Sequence, residues 1–485
     1  MPCLIAAPTS GSGKTLLSLS LAAWARQAGK RLQTFKVGPD YLDPQLLSRV
    51  SGRPCRNLDT LLCGEAWVRE SFQQHGSQAD LALVEGVMGL FDGRGPSSEG
   101  SSAAVAVLLD LPVVLVVEAS RQAGSVAALV RGFRDHDPNL RLAGVVLNRI
   151  SGDRHRQLLS EALQAIEVPL LGVLPPDESL AWPSRHLGLL PPEEVPDLPQ
   201  RLDRWAELAR SSLDLPRWQA LLAAPAVGPS SAKPPHRPSS GLPLRIAVAR
   251  DAAFHFLYPE ARELLEAAGA EPVAWSPLAD EPLPPDCRGV VLPGGYPELH
   301  HQQLGQCRRS LDDLAAAAAS GLPIYAECGG LLLLGDRLQG PEQETAEQGS
   351  PMAGVLPFQA SRGPLSLGYR RSESLGDGLV LRRGERRWGH EFHRWQLQPS
   401  ANTKNRQRCP LAVRPGLWQL EGWGVPAQEE GWSATNVHAS WLHLHWAGCP
   451  EIPQRLVAAS AAAVPWNGGS SGRTTASISP RSAGT

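Results

Sequence analysis

The stretch Pro8-Thr9-Ser10-Gly11-Ser12-Gly13-Lys14-Thr15 lies between an apolar run, Cys3-Leu4-Ile5-Ala6-Ala7, and a helical pattern over Leu16–Gln27. Strand, glycine-rich turn and helix in that order are the setting of a phosphate-binding loop. Gly11, Ser12 and Gly13 let backbone N–H groups curl around phosphate oxygens at the positive end of the helix dipole. Lys14 reaches the β and γ phosphates of a nucleoside triphosphate, and Thr15 offers its hydroxyl to Mg2+. Pro8 departs from the usual pattern, which has glycine there. The competing reading is a glycine-rich turn that only caps a helix.

The first 220 residues continue this rhythm of short apolar runs and longer amphipathic stretches, which argues for a parallel sheet with crossover helices. Strands are expected at Cys3–Ala7, Gln33–Val37, Leu81–Glu85, Val113–Val117 and Leu142–Asn148. Two of them end in acidic loops, Lys36-Val37-Gly38-Pro39-Asp40-Tyr41-Leu42-Asp43 and Glu85-Gly86-Val87-Met88-Gly89-Leu90-Phe91-Asp92-Gly93. Ligands of open α/β sheets bind at such strand ends. A hard cation takes oxygen ligands, so Thr15, Asp40 and Glu85 form a candidate Mg2+ set with phosphates and water. Taken singly, Asp40 reads as a helix N-cap and Glu85 as a surface charge; two such loops after a phosphate-binding loop favour the metal reading.

The chain has 485 residues, more than one core usually serves, with 46 Lys+Arg against 48 Asp+Glu. That balance argues against a generally basic nucleic-acid binder. No apolar run approaches a membrane span, and the N-terminus lacks the basic start of an export signal, so a cytoplasmic protein is expected. Residues 225–243, rich in Pro, Ser and Gly, read as a linker between domains 1–224 and 244–462. The second domain shows strands at Arg245–Ala249, Gly289–Leu292 and Pro323–Ala326 and a helix near Pro259–Ala268. Residues 463–485 carry few apolar side chains and read as a disordered tail.

Eight cysteines without a CxxC pair point neither to a disulfide framework nor to a zinc ribbon. Cys328 differs in its setting, Ile324-Tyr325-Ala326-Glu327-Cys328-Gly329-Gly330-Leu331. An apolar strand, a cysteine, two glycines and a leucine-rich helix make a nucleophile elbow, which exposes the sulfur beside helix N–H groups. Leu292-Pro293-Gly294-Gly295-Tyr296 ends another strand, and Gly294 and Gly295 are candidate oxyanion donors. Ala439-Ser440-Trp441-Leu442-His443-Leu444-His445-Trp446 alternates like a strand that puts His443 and His445 on one side, either able to serve as the base. In Trp388-Gly389-His390-Glu391-Phe392-His393, consecutive spacing on a strand splits the polar residues between faces and argues against a metal site. Arg370, Arg371, Arg382, Arg383, Arg386 and Arg387 could meet a polycarboxylate or form a solvated basic face.

The segments GSGKT (11–15), KVGPDYLDP (36–44), RPCRNLD (53–59), VEGVMGLFDG (84–93) and VLNR (146–149) resemble the cobyrinic acid a,c-diamide synthase family. PGGYPE (293–298), AECGG (326–330) and ASWLHLHW (439–446) are similar to its class I glutamine amidotransferase domain. The resemblance spans nearly the whole chain to about residue 455. It implies an α/β fold of two domains: a P-loop parallel sheet flanked by helices, related to dethiobiotin synthetase, and a C-terminal flavodoxin-like class I glutaminase domain. In that family ATP and Mg2+ convert a substrate carboxylate to an acyl phosphate, and ammonia released from glutamine displaces the phosphate. Carried over, Lys14 and Thr15 bind the nucleotide, Asp40 and Glu85 complete the metal site, and Lys36, Tyr41, Asp43 and Asp92, with Asp40, face the reacting carboxylate. His443 aligns with the family's base, with Cys328 as nucleophile and the third, orienting carboxylate unassigned. The expected substrate is a corrinoid, cobyrinic acid, amidated at its a and c side chains. Hydrogenobyrinic acid, a nickel sirohydrochlorin or other corrin carboxylates are alternatives with the same chemistry, and a nucleotide-driven switch protein is an alternative of another class. A homodimer is compatible with the resemblance.

Overall fold

The computed structural model describes residues 1–180, 182, 184–185, 188–189, 195, 197–226, 244–343, 348–400 and 411–468. Strands β1 (Leu4–Ala6), β2 (Leu32–Val37), β3 (Arg56–Leu58), β4 (Leu81–Glu85), β5 (Pro112–Glu118), β6 (Arg141–Asn148) and β7 (Leu170–Leu174) form one parallel sheet, ordered β3-β2-β4-β1-β5-β6-β7. Its interior reads as unbroken apolar runs because helices cover both faces. Leu17, Leu21, Leu46 and Trp205 belong to the core on one face, and Val68, Val105, Val126 and Leu159 to the core on the other. Strands β2, β4 and β1 are neighbours, and their register sets Lys36 beside Glu85 and Glu85 beside Ile5. The phosphate-binding loop and both acidic loops therefore leave the sheet at one carboxyl edge. Helix α1 (Lys14–Gln27) starts straight from Gly13, and α2 (Leu42–Ser51) from the second loop. Strands β3 and β7 were not expected from the sequence; β3 hides two polar residues, Arg56 and Asn57, and so lacks an apolar signature.

The second domain holds a mixed sheet of eleven strands. Its parallel part runs Ala270–Trp275, Leu244–Ala249, Cys287–Leu292, Ile324–Glu327, Val437–Ser440. Beyond Val437–Ser440 it continues as antiparallel strands Val425–Ser433, Arg414–Gly422 and Phe358–Ser374, with Arg386–Pro399 paired to the last. The two-domain α/β reading stands, and the antiparallel extension adds to it. The strand expected over Ala439–Trp446 ends at Ser440, and Trp446–Gly448 is a 3₁₀ turn. His443 instead forms a backbone bridge with His390, with N···O distances of 3.0 and 2.9 Å. The start of the expected tail is also ordered: Trp466 is buried, and its backbone exchanges hydrogen bonds with Asp286 and Cys287. Residues 227–243 of the expected linker and 469–485 of the tail lie outside the described residues.

The two domains dock through specific pairs. Arg56 on β3 reaches Glu260 (3.1 Å) and Glu263 (2.6 Å) of the helix Pro259–Ala267. Tyr369 donates to Asp59 (2.8 Å), and Tyr41 stacks on Phe256 with centroids 5.1 Å apart.

Candidate active site

At the carboxyl edge of the first sheet, Lys36 is the charge around which the acidic loops gather. Its ammonium lies 2.5 Å from Asp43, 2.8 Å from Glu85 and 3.8 Å from Asp40, and it is 3% exposed. Asp40 does two things at once: Oδ1 accepts from the N–H groups of Leu42 and Asp43, capping α2, while Oδ2 faces Lys36. Burial, and then the neighbouring Asp43, push Asp40 up to about 7. Burial also opposes the charge on Asp43, but Lys36 outweighs it and holds that carboxyl below its ordinary value. Thr15 Oγ1 donates to Glu85 Oε1 (3.0 Å), and Lys14 Nζ donates to the Met88 carbonyl (2.6 Å). Burial, then Lys36, lowers Lys14 to about 8. Asp92 accepts from the Gly89 N–H (2.8 Å) within the same loop. Among the phosphate-loop residues, Ser12 lends its carbonyl to Asn148 Nδ2 (2.9 Å).

Mg2+ fits this donor set. Glu85 Oε2 is buried with no hydrogen-bond partner, its Oε1 accepts from the Thr15 hydroxyl, and the Asp40 carboxylate approaches the same Lys36 ammonium, all oxygen donors suited to a hard cation.

In the second domain, Cys328 stands between the strand Ile324–Glu327 and the helix Gly329–Leu334 with φ 47° and ψ −105°, a strained elbow. Gly330 allows the turn: a Cβ there would lie 2.1 Å from the Leu292 carbonyl oxygen. The Cys328 N–H donates to Ser440 (2.8 Å), and its Sγ lies 4.0 Å from the Phe392 carbonyl. The Gly295 N–H borders the elbow, since a Cβ on Gly329 would come within 2.9 Å of that nitrogen. The Gly294 carbonyl accepts from His255 and Phe256, which fixes the loop.

His443 and His445 separate. His443 Nδ1 lies 3.6 Å from Glu327 Oε2 and 3.4 Å from the Tyr41 hydroxyl, which leaves Nε2 for the sulfur. Burial opposes its charge, but Cys328 and Glu327 prevail and raise it to about 10. A thiolate nucleophile needs such a cation beside it. His445 points elsewhere, stacked on Tyr258 at 4.2 Å with Nε2 3.7 Å from Glu260, and burial lowers it to about 3. The expectation that both imidazoles share one side is thereby corrected: the strand ends before them, so its alternation does not apply.

Glu327 is the residue the sequence reading missed. Its Oε1 accepts from the Tyr325 hydroxyl and from the Leu444 N–H (3.2 Å), which turns Oε2 toward His443. The available signal was a carboxylate closing an apolar buried strand, since such a charge requires a partner. The arginine cluster, by contrast, is largely neutralised within the domain. Arg370 pairs with Glu391 (2.8 Å), Arg386 with Glu373 (2.7 Å), and Arg387 with Glu451. His393 stacks on Trp441 at 3.9 Å while Glu391 faces Arg370, so His390, Glu391 and His393 do not gather into a metal site.

A cavity of about 590 Å³ joins the two centres. Asp40, Tyr41 and Asp43 line it from the first domain, His443, Phe392 and Tyr296 from the second.

Residues 3–190 match the CobQ/CobB/MinD/ParA nucleotide binding domain, and residues 245–450 the CobB/CobQ-like glutamine amidotransferase domain. The cobyrinate a,c-diamide synthase of Gloeobacter violaceus is 44% identical over 449 residues, covering 92% of this chain and 94% of that one. That of a Synechocystis species is 42% identical, covering 92% and 90%. The chain belongs to the cobyrinate a,c-diamide synthase family. The hydrogenobyrinate a,c-diamide synthase of Streptomyces coelicolor, 41% identical over 94% of this chain and 96% of its own, is a further relative. This family member is therefore a glutamine-dependent amidating ligase that uses a nucleotide, and the nucleotide-switch reading falls away. Among the described residues no helix is long and apolar enough to cross a membrane.

Proposed function

We propose that this chain amidates the a and c side-chain carboxylates of cobyrinic acid, with ATP as activator and glutamine as nitrogen source. The observation that carries the reading is a cavity lined both by Asp43, the partner of Lys36, and by His443. A carboxylate is a poor electrophile. Its oxygen attacks the γ-phosphorus of ATP, ADP leaves, and the acyl phosphate has a carbonyl that ammonia can attack. Phosphate then departs with the electrons of the C–O bond, and the surplus proton of the attacking nitrogen passes to a carboxylate of the Asp40–Asp43 pair. Lys14 neutralises charge on the transferred phosphoryl group, and the Gly11–Gly13 backbone cradles the phosphates. Thr15, Glu85 and Asp40 are the residues that hold Mg2+, which supplies charge neutralisation on the phosphates when bound.

Ammonia comes from the other centre. Cys328 attacks the glutamine carboxamide, the Gly295 N–H faces the developing oxyanion, and His443 passes its proton to the departing nitrogen. Water, deprotonated by the now neutral His443, cleaves the thioester. Glu327 keeps the imidazole aimed, in the position that a third triad member takes elsewhere.

Purified protein given cobyrinic acid, Mg-ATP and glutamine should add two amides by mass, and Cys328→Ala should keep amidation with ammonia while losing it with glutamine. Loss of both, or amidation surviving Lys14→Ala, refutes the scheme. Relatives of both names make hydrogenobyrinic acid a second reading, separated by offering the cobalt and metal-free corrinoids side by side.

A further inference from the structure

Eight large hydrophobic side chains among the described residues are strongly exposed, and three of them, Met88 (41%), Leu367 (53%) and Trp423 (71%), line the cavity between the two centres. Water-exposed indole on this scale marks a binding surface when it sits in a concave site with apolar neighbours. Trp423 occupies the tip of the hairpin between Arg414–Gly422 and Val425–Ser433, in the glutaminase domain, yet it leans on the synthetase domain. A Cβ at Gly95 would lie 2.5 Å from its Cγ, so one side of the ring rests on bare backbone that no other residue would leave free. Gly95 has φ +58°, a conformation that itself favours glycine. Val87 and Met88 also line the cavity, as do Asp40 and Asp43, whose side chains are 27% and 14% exposed.

The site thus pairs exposed apolar side chains with the less exposed carboxylates Asp40 and Asp43, in a volume within the usual size of small-molecule sites, roughly 300–1,000 Å³. We propose that the corrin macrocycle of the substrate lies against Trp423, with Met88 and Leu367 at its edges, and extends one carboxylate arm to Asp40, Asp43 and Lys36. The glutaminase domain therefore supplies the seat for the substrate of the synthetase domain. This rests on the reading that the chain amidates a corrinoid, and it adds which surface holds the ring. A purine ring is the competing occupant of an exposed indole, and its binding is measured in the same experiment.

Cobyrinic acid is coloured, so its retention with the full chain can be read by ultrafiltration and absorbance, independently of turnover. Trp423→Ala should weaken its binding about tenfold, the loss of one well-placed aromatic contact. Trp423→Phe should recover part of that loss, with ATP affinity and melting temperature unchanged in both variants. Unaltered corrinoid binding in Trp423→Ala, or a loss confined to ATP, overturns the seat. Wild-type protein that binds cobyrinic acid but does not amidate it leaves the seat standing and refutes the proposed activity; wild-type protein that does not bind it refutes both.

Discussion

Gly294→Ala isolates the role of His443. A Cβ on Gly294 would lie 2.4 Å from His443 Cε1 and 3.3 Å from its Nδ1. Nonbonded carbons rest about 3.5–4.0 Å apart, so the imidazole must retreat by roughly 1 Å. The His443 backbone cannot follow, because both of its polar groups are bonded to His390. The ring alone moves, away from Gly294 and out of the position in which Nδ1 meets Glu327 and Tyr41. A misplacement of about 1 Å costs on the order of a hundredfold in rate, or about 2.7 kcal/mol of transition-state stabilisation. The assay compares glutamine-driven with ammonia-driven amidation in one preparation, with the melting temperature as a check on folding. Glutamine-driven turnover should fall about a hundredfold and ammonia-driven turnover should hold. Near-normal glutamine use by this variant refutes the assignment of His443 and turns attention to His445, which the new methyl group does not approach.

Glu327→Gln should lower glutamine-driven turnover by roughly a hundredfold and leave the ammonia route intact, with the alkaline limb of glutaminase activity moving below its wild-type position near 10 because His443 loses the carboxylate that helps hold its proton; an unmoved limb contradicts the orienting role. Lys36→Met leaves Asp43 and Glu85 buried without their cation, a loss of roughly 3–5 kcal/mol, so melting temperature and amidation from either nitrogen source should both fall, and Mg2+ should raise the melting temperature more in the variant than in the wild type. Asp40, raised to about 7 in the metal-free chain, takes up a proton as the pH falls through that value, so Mg2+ binding should weaken below about pH 7, and an Mg2+ affinity that stays flat from about pH 8 to pH 6 removes Asp40 from the metal site. Arg56→Met strips the buried Glu260 of its partner across the domain boundary and should raise the glutamine consumed per amide formed; unchanged coupling shows that this pair does not hold the domains in register.

What could be read from sequence was whatever is local. The phosphate-binding loop and the Cys328 elbow each fit within one strand, one turn and one helix start, so residue type and spacing specify them without reference to the rest of the chain. The acidic loops were legible for a related reason, as they end strands that prove to be neighbours. Glu327 was not, because its meaning depends on where a segment over a hundred residues later places His443. Nor could the two histidines be ranked by alternation, since the strand that would impose it stops at Ser440. The arginines misled in the opposite direction: Arg370 and Arg387 looked available until Glu391 and Glu451 were folded against them. Trp466 reads as part of a polar tail in sequence and is instead held by the edge of a strand.

His443 Nδ1 is met by one group from each domain, the Glu327 carboxylate of its own and the Tyr41 hydroxyl of the other. Tyr41 is flanked in sequence by Asp40, which caps α2 and faces Lys36, and it lines the cavity beside Asp43. Any rearrangement of that loop as carboxylate and nucleotide bind must therefore shift one of the two partners of His443, the proposed glutaminase base. The two centres thus share a structural element as well as a chamber. In the proposed reaction a single loop, Lys36 to Asp43, then touches both the release of ammonia and the activation of the carboxylate. This arrangement answers a chemical need, because ammonia released before a carboxylate is activated takes up a proton and is lost as a nucleophile.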